Sequence, residues 1–289
     1  MAVKKTVLIV KTGQSETFDA ENNYIVSLGD VLRTTPLLHA FPPDDFELTW
    51  LTEKDALPLL AGNPFIDKLM VVTPFTPAHL LHESFDIVVN LERDPSLCSI
   101  IDRIPAHRHY GFRYQPKQLS GYDHAEHALQ IIGHGDVKRD KNQTWAELLY
   151  MMIGRPYKGE SYVLGYKPVA RPVYDVGLNY LAGAKFPQKA WPRENWDALA
   201  KQLLADRSIS WQAGKDNLND YMEWIAGCKT IVTNDSLGLH IALAFGRKVV
   251  AMFGPTHAGE VQDSPSLTKL VAKEGLMRNI EVDHVYAAC

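Results

Sequence analysis

Three places in this chain bring together residue types that can do chemistry. Asp30 stands at the head of a helical run, S-L-G-D-V-L-R-T-T-P-L-L at Ser27–Leu38. Lys185 and Lys189 precede a second helix, whose opening reads K-A-W-P-R-E-N-W at Lys189–Trp196. Asp235 and Ser236 open a third in T-N-D-S-L-G-L-H at Thr233–His240, with G-P-T following at Gly254–Thr256. A helix start carries N–H groups with no intrahelical acceptor and the positive end of the helix dipole, so it is a natural seat for an anion. The amides of Ser236, Leu237 and Gly238, the Ser236 hydroxyl and a lysine ammonium together suit a diphosphate, which needs several donors at once. Asp30 has two readings, a helix N-cap and a general base acting on a hydroxyl, and its position alone does not choose between them. Gly29 before it permits close backbone approach or a turn of positive φ. His240 is read either as a structural hydrogen-bonder or as a ligand contact.

The elements that must position these residues follow from periodicity. Thr230–Thr233 and Lys248–Phe253 are short apolar, β-rich runs. They flank helical spacing at Leu239, Ala242 and Leu243, with Gly246 where a C-cap glycine belongs and Asn234, Asp235 and Ser236 where N-caps belong. That predicts a parallel βαβ unit whose helix starts at the carboxyl edge of a sheet. Further strands are expected at Thr6–Val10, Phe46–Leu51, Lys68–Val72, Phe85–Leu91, Tyr174–Leu178 and Ile209–Gln212, and helices at Val31–Ala40, Thr144–Ile153, Glu194–Ala205 and Leu218–Ala226. Pro36 should kink or restart the first of these, and Pro192 suits the first position of the third. Strands alternating with helices imply an α/β protein with parallel sheets. The composition shifts at Tyr157–Pro172, which reads as a linker between two Rossmann-like lobes, 1–165 and 166–289, with the carboxyl ends of both sheets facing a cleft. Gly111–Lys141 reads as loops with one helix, and Lys11–Val26 as an unusually long strand-to-helix loop.

Composition excludes several classes. Of 289 residues 46% are apolar and 22% charged, which is ordinary for a globular chain, and the net charge of −4 gives no overall attraction to nucleic acid. Three widely spaced cysteines make no disulfide framework and favour a reducing compartment. No apolar run approaches a membrane span, and the apolar start reads as a first strand, so a cytoplasmic protein is expected. No P-loop is present and no G-x-G-x-x-G follows a strand, which argues against a nucleoside triphosphatase and a dinucleotide-dependent dehydrogenase.

Taken in order, Ser27–Leu38, Lys189–Trp196 and Thr233–Thr256 resemble glycosyltransferase family 9, the ADP-heptose:lipopolysaccharide heptosyltransferases. The resemblance implies a GT-B fold with the acceptor on the first lobe and the nucleotide-sugar on the second. It implies an inverting, metal-independent transfer of a sugar, heptose in this family, from an ADP-sugar to a hydroxyl of a cell-surface glycan such as the lipopolysaccharide core. By the same resemblance Asp30 is the base, with Gly29 and Arg33 on the acceptor side. Lys189 neutralises the donor phosphates, and Lys185, Asp235, Ser236, Leu237, Gly238, His240 and Thr256 fall on the donor side. The partners implied are the nucleotide-sugar and a glycan, lipid-linked at the inner membrane face, with no cofactor and no metal. The chain departs from the family in the order Leu237-Gly238, in Ala184-Lys185 before the lysine, and in the long Lys11–Val26 loop. It stops soon after Thr256, where members continue, so the second lobe is expected to be shortened; Cys289 stands alone where some relatives have an iron-holding cysteine cluster. Two other readings compete: a non-catalytic nucleotide-sugar or glycan-binding protein of the same fold, and an epimerase or another GT-B enzyme acting on UDP-sugars.

Overall fold

The structure is a computed structural model that describes residues 3–14, 26–115, 118–133, 143–169, 171–183, 186–214 and 216–289. Most of the Lys11–Val26 loop, the end of Gly111–Lys141 and Lys185 lie outside the described residues. The chain forms two compact units, Met1–Tyr166 and Lys167–Cys289.

In the first unit the strands are β1 (Lys5–Val10), β2 (Phe46–Thr52), β3 (Lys68–Val71), β4 (Phe85–Asn90), β5 (Ala106–Gln115) and β6 (Gln118–Gly121). Among the described residues they form one sheet in the order β3-β2-β1-β4-β5-β6, parallel except for β6, which runs antiparallel to β5. The helices are α1 (Leu28–Leu32), α2 (Leu57–Leu60), α3 (Thr76–Leu80), α4 (Pro95–Ile101), α5 (Ala125–Gly133) and α6 (Trp145–Met152). Central strand β1 is buried along Val7–Val10, which explains why it reads as a continuous apolar run. Leu8, Val10, Leu51, Leu80, Val88, Ile101 and Ile104 form one core cluster beside it. Helix α6 starts with a capping box in which Thr144 and Glu147 each bond the other's backbone N–H.

The run expected as one helix over Val31–Ala40 is broken. α1 ends at Leu32, and a tighter 3-10 turn covers Thr35–Ala40. Pro36 has no N–H to continue the α-helix, and the hydroxyls of Thr34 and Thr35 donate to the carbonyls of Asp30 (2.8 Å) and Leu32 (2.7 Å). Gly29 lies inside α1 and is not among the glycines of positive φ, so no left-handed turn is made there.

In Gly111–Lys141, expected to be loops with one helix, the helix is α5, but the end of β5 and all of β6 occupy ground expected to be loop. β5 reads A-H-R-H-Y-G-F-R-Y-Q, with too many polar residues for an apolar-run signal. It pairs with β4 through Gly111 and with β6 from Phe112 onward. Gly111, at φ +87°, sits where a Cβ would fall 1.9 Å from the carbonyl oxygen of Asn90. Gly111→Ala should therefore destabilise the protein by about 3 kcal/mol. Urea unfolding with an unchanged midpoint would contradict that contact.

The second unit has β7 (Tyr174–Asn179), β8 (Ile209–Trp211), β9 (Cys228–Asn234), β10 (Lys248–Phe253) and β11 (Leu267–Val271), in the order β11-β10-β9-β7-β8 and parallel throughout. Its helices are α7 (Arg193–Leu203), α8 (Leu218–Ala226), α9 (Leu237–Ala244) and α10 (Val282–Ala288). α10 packs on α7, and α9 beside α8. Trp191, Trp196, Leu199, Leu203, Val232, Val250 and Met252 belong to its core cluster. Gly246, with φ +65°, ends α9 one residue past its C-cap Phe245, as its sequence position implied. Pro192 is the N-cap residue of α7 rather than its first helical residue.

No helix among the described residues is long and apolar enough to cross a membrane.

Candidate functional site

In the second unit the candidate residues gather at the carboxyl ends of β7, β9 and β10. β9 ends at Asn234, and α9 begins three residues later, with Ser236 in the N-cap position. The Ser236 side chain does not cap the helix. Its hydroxyl accepts instead from Asn179 Nδ2 (3.1 Å) and lies 3.3 Å from the Thr233 hydroxyl. Asn179, the last residue of β7, also donates to Thr233 (2.7 Å) and accepts from the Tyr221 hydroxyl (2.7 Å). This network is buried, so each partner fixes the others. Burial pushes the Tyr221 phenol far up, which keeps it a neutral donor to Asn179.

Gly238 packs against the same network. A Cβ there would fall 2.4 Å from both Asn179 Nδ2 and the Tyr221 hydroxyl. Close approach of helix to strand is thus the reason for glycine here, and Leu237, the first residue of α9, takes the half-exposed place before it. Gly238→Ala should cost about 1–3 kcal/mol of stability by overpacking. Urea unfolding of the variant measures that cost, and an unchanged midpoint would contradict the close approach of α9 to Asn179.

A second polar residue ties the loops together. Asn234 accepts from the Trp191 N–H (3.1 Å) and donates to the Tyr180 carbonyl (3.1 Å), holding both ends of the β7–α7 loop to the end of β9. That loop carries Lys189 on a short 3-10 turn, Pro187–Lys189. The Lys189 ammonium lies 2.8 Å from Asp235 Oδ2 and 5.0 Å from the Phe186 ring centroid. Burial pushes the Asp235 carboxyl up, but the Lys189 charge and hydrogen bond, helped by His240 and the Thr256 hydroxyl, outweigh it and hold the group below the ordinary carboxylate range. Lys189, Asp235, His240 and Thr256 are therefore one electrostatic group, with His240 buried within it. Near Lys189 the β7–α7 loop borders an open pocket of about 460 Å³, lined by Tyr180, Leu181, Trp191, Arg193 and Trp196 among others. Arg193 stacks over the rings of Tyr180 (4.9 Å) and Trp211 (4.5 Å) at its wall.

In the first unit Asp30 is the third residue of α1 and does not cap it. Its Oδ1 lies 2.7 Å from Arg33 Nε, and both side chains are largely buried. The Arg33 guanidinium also lies 4.9 Å from the Trp145 ring centroid. Around this pair stand Lys11, Glu92 and Arg93. Burial lowers the Arg93 pKa, while the nearby carboxylates of Asp30 and Glu92 favour its charged form. Among the described residues no three His, Cys, Asp or Glu side chains converge as metal ligands would.

The candidate residues thus form two groups. Lys189, Asp235, Ser236, Leu237, Gly238, His240 and Thr256 come together in the second unit, while Gly29, Asp30 and Arg33 sit on α1 in the first. Lys185 lies outside the described residues. Reading the chain alone missed Asn179 and Tyr221 and took Asn234 only as an N-cap candidate, whereas the three order the group in the second unit. The available signal was a polar residue closing an apolar strand, V-G-L-N at Val176–Asn179 and I-V-T-N at Ile231–Asn234.

Comparison with known proteins bears on this geometry. Residues 208–274, which include β9, α9 and Gly254–Thr256, match the sequence profile of glycosyltransferase family 9 (heptosyltransferase). The lipooligosaccharide heptosyltransferase 2 of Haemophilus influenzae is 26% identical over 152 residues, covering 42% of each chain. The lipopolysaccharide heptosyltransferase 2 of Escherichia coli is 32% identical over 108 residues, 27% of this chain and 31% of that one. These matches span less than half the length of either relative. In fold the likeness runs nearly end to end. The E. coli heptosyltransferase WaaC, solved with ADP-2-deoxy-2-fluoro heptose, superposes with a TM-score of 0.66 over 98% of both chains at 18% identity. The chain has the GT-B fold of these proteins, and within it residues 208–274 are similar to glycosyltransferase family 9 (heptosyltransferase).

Proposed function

We propose that this protein is an inverting, metal-independent glycosyltransferase that moves heptose from ADP-heptose to a hydroxyl of the lipopolysaccharide core. The second unit binds the donor and the first binds the acceptor. The observation that carries the reading is the Lys189 ammonium held at 2.8 Å from Asp235 at the start of α9. A cation fixed beside free helix-start amides stabilises the charge that grows on a departing diphosphate, the task a metal ion performs in other transferases. Ser236, Leu237 and Gly238 supply those donors, and Lys185 and Thr256 belong to the same side. Asp235 and His240 orient the sugar and the lysine. The pocket near Lys189 has the size and aromatic lining of a small-ligand site. E. coli WaaC has been solved with ADP and with ADP-2-deoxy-2-fluoro heptose, which favours an ADP-sugar here.

Asp30 takes the proton of the acceptor hydroxyl as that oxygen attacks the anomeric carbon from the face opposite the departing ADP. The bond to the diphosphate breaks as the new glycosidic bond forms, and the anomeric configuration inverts. Gly29 and Arg33 lie on the acceptor side. The acceptor is lipid-linked, and the protein works in the cytoplasm against the inner membrane face.

One observation favours a second reading, a non-catalytic binder of nucleotide-sugars: Arg33, at 2.7 Å from Asp30, already engages the carboxylate that the transfer would use. A thermal-shift panel of ADP-, UDP- and GDP-sugars, followed by an assay for released ADP with and without heptose-free lipopolysaccharide core, separates the readings. The transferase reading requires stabilisation by ADP-heptose and acceptor-dependent release of ADP. Stabilisation without release would leave only the binding protein, and a preference for UDP-sugars would contradict the donor assignment.

A further inference from the structure

One fully buried carboxylate holds the turn that follows β1. Glu92, two residues past the end of β4, accepts the N–H groups of both Thr12 (2.5 Å) and Gly13 (3.1 Å) on its Oε1. The Lys11 ammonium, equally buried, stands 3.9 Å from the same oxygen. Glu92 is itself fixed, since its own N–H donates to Asn90 Oδ1 (3.1 Å) and Asn90 Nδ2 donates to the Phe112 carbonyl (2.7 Å). Lys11 is tied as well, its carbonyl accepting from the Trp50 indole (3.2 Å).

From this clamp a short path leads to Asp30. The Gly13 carbonyl accepts from the Ser27 N–H (2.8 Å), and the Ser27 carbonyl accepts from the N–H groups of Asp30 (3.1 Å) and Val31 (3.3 Å). Gly13 has φ +88°, and a Cβ there would lie 3.0 Å from Val31 Cγ2, so the clamped turn packs directly on α1. α1 has only five residues and no side-chain cap, so its own hydrogen bonds hold it weakly. Among the described residues, the bond from the Ser27 N–H to the Gly13 carbonyl ties its start to the clamped turn.

We infer that Glu92, with Lys11 as its counter-ion, is a positioning residue that sets the start of α1 and with it the direction in which Asp30 presents its carboxylate. This rests on Asp30 being the base of the proposed transfer. A buried carboxylate accepting two successive amides is a stronger and more directional clamp than a neutral side chain, and the adjacent ammonium compensates its charge.

Hydrogen exchange of the full chain tests the inference without any need for substrate. In Glu92→Ala the amides of Thr12, Gly13, Ser27 and Asp30 should all exchange faster by about tenfold, as losing a charge-assisted hydrogen bond implies, while 167–289 stays unchanged. Glu92→Gln and Lys11→Met keep more of the packing, and should raise exchange at the same four amides by a smaller factor if the alanine variant does not fold. Faster exchange at Thr12 and Gly13 with Ser27 and Asp30 unaltered would overturn the inference. Where the wild type transfers sugar, Glu92→Gln should lower kcat and leave ADP affinity unchanged. The Asp30→Ala/Glu92→Gln double variant should be no slower than Asp30→Ala alone, and multiplied losses would contradict a role exercised through Asp30. A wild type without transfer activity would remove the transferase reading, and the exchange data would still decide whether Glu92 positions α1.

Discussion

Asp30→Ala should slow sugar transfer by about 10²–10⁴-fold, the usual contribution of a positioned base, while ADP binds as it does to the wild type. The split follows from where the groups sit. Asp30 lies on α1 in the first unit, whereas the proposed diphosphate contacts belong to β9, α9 and the β7–α7 loop of the second. Asp30→Asn should behave nearly as badly, because an amide keeps the size and the hydrogen bonding but accepts no proton. Steady-state rates at saturating donor, set beside calorimetric titration with ADP, measure both quantities. Parallel loss of rate and ADP affinity would mean that Asp30 supports the fold instead of taking a proton.

Lys189→Ala should weaken ADP binding by about 10–100-fold, the factor that corresponds to one charge-assisted hydrogen bond of 1.5–3 kcal/mol. The same change leaves Asp235 as a largely buried charge without its main partner, so stability should fall by about 3 kcal/mol, the low end for a broken buried pair. The pH dependence follows from the direction of the Asp235 shift. Its carboxyl is held below the ordinary range in the folded protein, so the contribution is complete above the unfolded pKa of about 4 and fades as pH falls through the lower folded value. In Lys189→Ala that acid-side loss should largely vanish. Urea midpoints collected between pH 3 and 7 for both proteins would reveal it, and parallel curves would show that Lys189 does not hold Asp235 ionised.

How far the chain could be read depended on whether a feature was local. Buried parallel strands such as Val7–Val10 and Ile231–Val232 leave continuous apolar runs, and α8 shows its full extent, Leu218–Ala226, in spacing alone. β5 was illegible because it lies next to the sheet edge and changes partners at Gly111, so neither an apolar run nor clean alternation marks it. The division of Val31–Ala40 was legible in Pro36, but the place of the break depends on two threonine hydroxyls competing for helix carbonyls. At the site, the types and spacing of Asp235, Ser236 and Lys189 singled out residues that the structure does bring to the start of α9. The roles of Asn179, Asn234 and Glu92 could not be found that way. Their side chains bond to residues 42 to 80 positions away, and the chain spells out no long-range partner.

Calorimetric titration with ADP and with adenosine, on the wild type and Lys189→Ala, tests the diphosphate cradle most directly. ADP should bind the wild type and lose at least about tenfold in affinity in the variant, whereas adenosine, lacking phosphates, should bind both equally weakly. Equal ADP affinity in the two proteins would contradict the cradle at the start of α9, and with it the assignment of the second unit to the donor.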